Sequence, residues 1–231
     1  MKYTGVLLIV AMALTGTVSA QQEQVRTVSG FNSIGNAGSF AVHIKINGTE
    51  SLKIDGATQE EASLIETNVK DGHLEIQWKR GSEPHHYSGR IDIYVTAKTL
   101  SAVDMSGSGM TEVDGSLTGS HVAVTSSGSG SLVAGVDGAK LEVTMSGSGG
   151  VRLKGKTGTA DITMSGSGGL HADGLTMDEA KVDISGSGLV EIHVDKTLSA
   201  VISGSGGVHY SGNGTVSSVT TSGSGRVSRA K

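Results

Sequence analysis

Cysteine is absent from the chain, proline occurs once, and two Phe, one Trp and four Tyr are its only aromatic residues. Without cysteine there is neither a disulfide nor a lipid-modified cysteine at a processing site, so an exported form rests on hydrogen bonds and packing alone. With so few aromatics, a thick core built on large rings is excluded, since each such ring buries much apolar area. A thin core of stacked Val, Ile, Leu, Ala and Met fits better. The formal charge of −4 gives no signal for nucleic acid or for an anionic membrane as partner. Long apolar runs are also missing. The nine residues Val6 to Leu14 are too few to cross a bilayer as a helix, which takes about 20. No transmembrane segment is therefore expected in the mature chain.

That apolar run has another reading. Lys2 precedes it and Val18-Ser19-Ala20 follows, the pattern of a cleaved secretory signal. Residues 1–20 are expected to be the signal peptide, with the mature chain starting at Gln21. The protein is then periplasmic, cell-surface or extracellular.

Glycine is abundant, at 36 residues, and it is ordered. The tetrad Ser-Gly-Ser-Gly occurs seven times, starting at Ser106, Ser127, Ser146, Ser165, Ser185, Ser203 and Ser222. The intervals are 21, 19, 19, 20, 18 and 19 residues. A flexible linker has no reason to keep a period, whereas a solenoid does. Side-chain parity points the same way, because alternate residues of a strand face opposite sides. Leu141, Val143 and Met145 lead through Gly147 and Gly149 to Val151 and Leu153, while Ser146 and Ser148 take the other face. The glycine pairs Gly107 and Gly109, Gly128 and Gly130, Gly147 and Gly149, Gly166 and Gly168, Gly186 and Gly188, Gly204 and Gly206, and Gly223 and Gly225 are expected to be structural corners. At each, an inward Cβ would clash with the core, and glycine also relaxes the backbone. Seven stacked coils make a rod ~30–35 Å long. The tetrad lacks the Lys-Ser/Thr of a phosphate loop and the Asp of calcium-binding nonapeptides.

Residues 21–100 differ in texture and are expected to form an N-terminal β cap on the solenoid at 101–231, in one continuous domain. Phe40, Val42, Ile44 and Ile46 alternate up to Asn47-Gly48, with Leu52 and Ile54 beyond, which signals a hairpin. A second hairpin is expected at Asp71-Gly72, a strand at Ile91–Val95, and a short helix over Gln59–Ile65. At the far end, Arg226, Arg229 and Lys231 guard the open edge by charge.

The order Phe31, Ile34 and Gly38, then Val42-x-Ile44, Leu52-x-Ile54 and Asp71-Gly72-x-Leu74-x-Ile76, followed by the repeated tetrad, resembles the head GIN domain family, whose members carry the label auto-transporter adhesin. The resemblance spans about 25–231. It implies an all-β fold, a right-handed and largely parallel β-helix of about 19–20 residues per repeat, and it transfers no catalytic residue.

Offset from the tetrad aligns side chains on different coils. Six residues after each tetrad start lie Glu112, Val133, Arg152, His171, Glu191, His209 and Ser228. His171, Glu191 and His209 would then share one outer ladder, and two His flanking a carboxylate is a zinc-like donor set; a solvated polar ladder is the plainer reading. Glu83, His85 and His86 read as an exposed loop. No Gly-x-Ser-x-Gly elbow and no convergent acid-base pair emerge, so neither catalytic residues nor a cofactor are expected. Three function classes follow: a non-enzymatic exported adhesin or binding module for a glycan or envelope protein, a structural envelope protein without a small ligand, and a β-helical carbohydrate-active enzyme. Homo-oligomerisation is left open.

Overall fold

The computed structural model describes residues 23–82 and 89–230. The expected signal segment, the loop with Glu83, His85 and His86, and Lys231 lie outside the described residues. Strand dominates what is described, and the coils are built from the tetrads outward. Five long strands, β9 (Met110–Gly128), β10 (Ser131–Gly147), β11 (Gly150–Gly166), β12 (Gly169–Gly186) and β13 (Leu189–Gly204), each begin just after one tetrad and end at the first glycine of the next. Each thus runs once around the rod. Shorter pieces, β14 (Gly207–Ser211), β15 (Thr215–Gly223) and β16 (Arg226–Arg229), make the last turns. All of these pairings are parallel. With β8 (Ala102–Gly107) at the start, the first glycines Gly107, Gly128, Gly147, Gly166, Gly186, Gly204 and Gly223 fall in one register line.

The corner has a specific cause. The carbonyl of Gly128 accepts the Ser148 amide at 2.9 Å and the Gly149 amide at 3.0 Å. A Cβ on Gly147 would collide with that same oxygen, and the φ of +107° there is one that L side chains rarely adopt. A Cβ on Gly149 would come 2.6 Å from the Gly130 carbonyl oxygen. The missing Cβ therefore points mainly along the stack, at the backbone of the preceding coil, and less at the core than parity implies. Gly147 is exposed while Gly149 is buried. Core side chains crowd the second glycine at four corners, where Met105, Met164, Ile184 and Ile202 face Gly130, Gly188, Gly206 and Gly225. Parity does run unbroken through the tetrad, and it changes at the opposite corner: in β11, Val151, Leu153 and Thr157 are buried, then Ala160, Ile162 and Met164.

The coil stack reaches into the segment read as a cap. Strands β2 (Ser33–Ala37) and β3 (Ala41–Ile46) form one coil, and β6 (His73–Trp78) and β7 (Asp92–Ala97) another. The β2 strand pairs in parallel with β6 on one side and β8 on the other, and β3 does the same with β7 and β9. The coil at 33–46 is therefore inserted between the later coil at 73–97 and the first repeat. The closing layer is antiparallel: β1 (Gln24–Arg26) on β4 (Ser51–Asp55), β4 on β7, and β5 (Ile65–Lys70) on β6.

This order changes one expected hairpin. β3 and β4 turn at Asn47-Gly48 but do not pair, because β7 lies between them; Asn47 and Gly48 amides donate to the Ala97 carbonyl at 3.0 and 3.2 Å. The other hairpin forms at Asp71 (φ 51°) and Gly72 (φ 79°), joining β5 to β6. The short helix is α1 (Gln59–Leu64), started by a capping box of Thr58 and Glu61. Arg26 donates to the carbonyls of Ala62 and Ile65 at its far end, each at 2.6 Å, where a cation is favoured.

One continuous apolar core runs along the axis. Its aromatic part sits at the closed end, where the Phe40 and Trp78 rings are 4.9 Å apart; beyond it the core is stacked aliphatic side chains. The C-terminal end is open, with every residue of β15 exposed. Arg229 there donates to the Gly212 carbonyl and lies over the Tyr210 ring.

Substituting Gly147 by Ala is expected to cost at least about 1–3 kcal/mol in urea denaturation, because both φ and the Gly128 oxygen oppose the new Cβ. Gly150→Ala, where no atom lies within 4 Å of the added Cβ, is expected to stay within about 0.5 kcal/mol of wild type. A second expectation concerns Glu50, which accepts from the Lys98 ammonium at 2.6 Å and from the Gly30 amide at 2.8 Å. Lys98 first, then the Gly30 and Phe31 amides, hold this carboxyl below the ordinary range, against an opposing desolvation. Its stabilising effect is present above the unfolded-state pKa and is lost as pH falls through the lower folded value. Glu50→Gln should melt below wild type at neutral pH, with the gap closing in acid; an equal gap at every pH would contradict the assignment.

Candidate functional site

Parallel stacking in register converts sequence offset into outer ladders, and one of them is long. Lys53, Tyr94, His43, Glu112, Val133, Arg152, His171, Glu191, His209 and Ser228 are successive register partners. The offset rule reaches Glu112 to Ser228. It misses Lys53, Tyr94 and His43, since the inserted coil leaves no tetrad to count from.

At the closed end the ladder is tightly knit. The His43 and Tyr94 rings stack at 5.0 Å with an interplanar angle of 19°, and the Lys53 ammonium lies 4.9 Å from the Tyr94 ring centre. His43 Nε2 is 2.8 Å from Asp92 Oδ1, while its Nδ1 faces Glu112 Oε2 at 4.0 Å. The two ring nitrogens thus engage opposite sides. Beside them, His43, Lys45, Tyr94, Thr96, Glu112 and Asp114 line a groove of about 340 Å³. Further along, His171 Nδ1 and Glu191 Oε2 meet at 2.5 Å. His209 is the next rung after Glu191 in strand register, and both border a smaller depression that also includes Asp173 and Ser211.

A second grouping lies on another side of the coil. His73 and Glu75 on β6 and Asp104 on β8 bring three donor atoms within 4.8 Å of one another. His73 Nε2 is 3.0 Å from Glu75 Oε2, and His73 Nδ1 is 3.8 Å from Asp104 Oδ2. Burial raises the Asp104 carboxyl; His73 opposes this and the Glu75 charge adds to it. The local signals, His-x-Glu in a strand and an Asp two residues before the first tetrad, are weak. What joins them is the out-of-order coil, which no periodicity in the sequence encodes.

A parallel β-solenoid that closes at one end and displays registered polar ladders belongs to the repeat scaffolds, in which each coil contacts only its neighbours and function lies on the outer surface. Within that class, the chain belongs to the family described as "Putative auto-transporter adhesin, head GIN domain", whose model matches residues 30–214. Solved structures share the fold at low identity. A putative adhesin from Bacteroides fragilis superposes with a TM-score of 0.83 at 22% identity, over 91% of this chain and 97% of that one. A protein from Parabacteroides distasonis named a putative lipid binding protein gives 0.76 at 21%, over 93% and 98%. A putative adhesin from Parabacteroides merdae gives 0.73 at 23%, over 93% and 98%. No curated protein matches the chain. Among the described residues, no helix is long and apolar enough to cross a membrane.

Proposed function

We propose that the chain is an exported, non-enzymatic binding module, and that the ladder from Lys53 to Ser228 is its recognition surface for an extended polar polymer, a glycan chain. The observation that carries this is the register itself. Ten strands place one side chain each on a single line, at ~4.8 Å per rung, for roughly 40 Å. Cationic, anionic, imidazole and hydroxyl groups occupy every rung but Val133, so a chain lying parallel to the rod meets donors and acceptors along nearly its whole length. Both faces of Tyr94 are covered by Lys53 and His43, so a sugar would contact the ring edge and hydroxyl rather than stack on it. The adhesin names of the family and of two relatives agree with a binding role. Acyl chains fit the coil less well, because stacked aliphatic side chains fill its interior.

A glycan array probed with the mature chain, paired with a pull-down from envelope extract, tests this. Wild type is expected to retain a subset of glycans, and an Arg152→Ala/His209→Ala variant to lose at least about tenfold in affinity for them. Both residues are on the outer ladder, so the variant's thermal melt should match wild type to within about 0.5 kcal/mol. Equal glycan binding by the variant, capture of a protein without any glycan, or turnover of a polysaccharide would each overturn the proposal.

A further inference from the structure

We infer that His73, Glu75 and Asp104 form a binding site for a divalent first-row transition ion of the zinc type. The inference is independent of the glycan reading, since the group lies on another side of the coil. It rests on how the three side chains meet. Gly35 on β2 has Glu75 on one neighbouring strand and Asp104 on the other as its register partners. Their side chains, with that of His73, lean over Gly35 from both sides. A Cβ on Gly35 would stand 2.8 Å from His73 Nε2, 2.9 Å from Asp104 Oδ1 and 2.9 Å from Glu75 Oε2. Only a residue without a side chain lets the three donors converge.

The His73 ring is held where Nε2 can serve as the donor. Ser33 Oγ lies 3.0 Å from His73 Nδ1 and 3.3 Å from the Gly72 carbonyl oxygen, which also accepts the Asn32 and Ser33 amides. With the hydroxyl proton on Gly72, Oγ accepts from Nδ1–H and the Nε2 lone pair faces Glu75 Oε2 at 3.0 Å; with it on Nδ1, Nε2–H donates to Glu75 instead. A divalent ion selects the first arrangement, because it uses the Nε2 lone pair and is countered by two carboxylates.

The donor set selects the ion. One imidazole nitrogen and two carboxylates suit zinc and its neighbours, whereas calcium and magnesium prefer oxygen alone. Ser33 on Nδ1 is the outer-shell partner that orients a ligating histidine. The side chains of His73, Glu75 and Asp104 are 32%, 31% and 40% exposed, so water can reach a fourth position. The His43 group differs: His43, Asp92 and Glu112 do not bring three donor atoms within 4.8 Å of one another, as His73, Glu75 and Asp104 do.

Calorimetric titration of chelator-treated protein with zinc chloride, followed by melts with and without zinc, tests the site. One saturable equivalent and a rise in Tm are expected for wild type, together with a zinc-dependent shift of the His73 ring resonances by NMR. His73→Gln should lose that equivalent and Ser33→Ala should weaken it by about tenfold. Gly35→Ala is the sharper variant. Its added methyl meets only the ends of flexible side chains, so the fold survives while the donors are pushed apart, and zinc binding should vanish with the zinc-free melt preserved. A His171→Ala/His209→Ala variant should bind as wild type does. No saturable zinc binding, binding unchanged in Gly35→Ala and His73→Gln, or binding lost in His171→Ala/His209→Ala would overturn the assignment.

Discussion

One carbonyl oxygen per coil governs this molecule. At each of the first six tetrads the first glycine offers its carbonyl to one or two amides of the next coil, and the oxygen occupies the space where the next coil's Cβ would stand. The hydrogen bond and the absent side chain are two sides of one contact. Its repetition sets the register line, and the register line sets everything outside it. Outer side chains at equal offset become neighbours, and inner ones stack into a core thin enough to do without rings. The tetrad thus acts as an indexing device, fixing which residue lies above which.

Much of this was legible because the device is local. Period, parity and offset are properties of a single strand and its nearest copy, so Glu112 through Ser228 could be aligned from the sequence alone. The direction of the corner glycines was less accessible. Parity distinguishes inside from outside but has no axis along the stack, and that is where most of the missing Cβ atoms point. The N-terminal region was hardest. The alternation at Phe40–Ile46 and Leu52–Ile54 correctly marks strands, yet the turn at Asn47-Gly48 does not reveal that β7 separates them. Residues 37–40, Ala-Gly-Ser-Phe, occupy the tetrad's place in the inserted coil. The Gly38 carbonyl accepts the Gly109 amide at 3.2 Å and that of Phe40 accepts Met110 at 2.9 Å, which is the tetrad's own bonding. One glycine has become Phe40, which fills the core against Trp78. Beside it, Asn36 is buried and bonded to Thr111 Oγ1 at 3.2 Å, tying this coil to the repeat that follows.

The two outer groupings illustrate different uses of the same scaffold. The long ladder is made by repetition, and its members are related by offset. The cluster of His73, Glu75 and Asp104 arises where repetition is broken: two acidic strands flank a glycine strand that precedes both in the chain. Regular stacking spreads unlike groups evenly along a line, and among the described residues only the irregular junction gathers three donors over one residue.

The inserted coil also bears on how the chain comes together. Repeat coils find partners 18 to 21 residues away. The segment at 33–46 has both neighbours ahead of it, β6 and β7 on one side and β8 and β9 on the other, with Asn36 reaching as far as Thr111. A chain emerging from its N-terminus offers this segment one neighbour only when residues 73–97 have followed, and the second only when residues 102–114 have. The closed end of the rod is thus held by pairings of longer sequence range than any in the repeats, so closing it costs more chain entropy than adding a coil does.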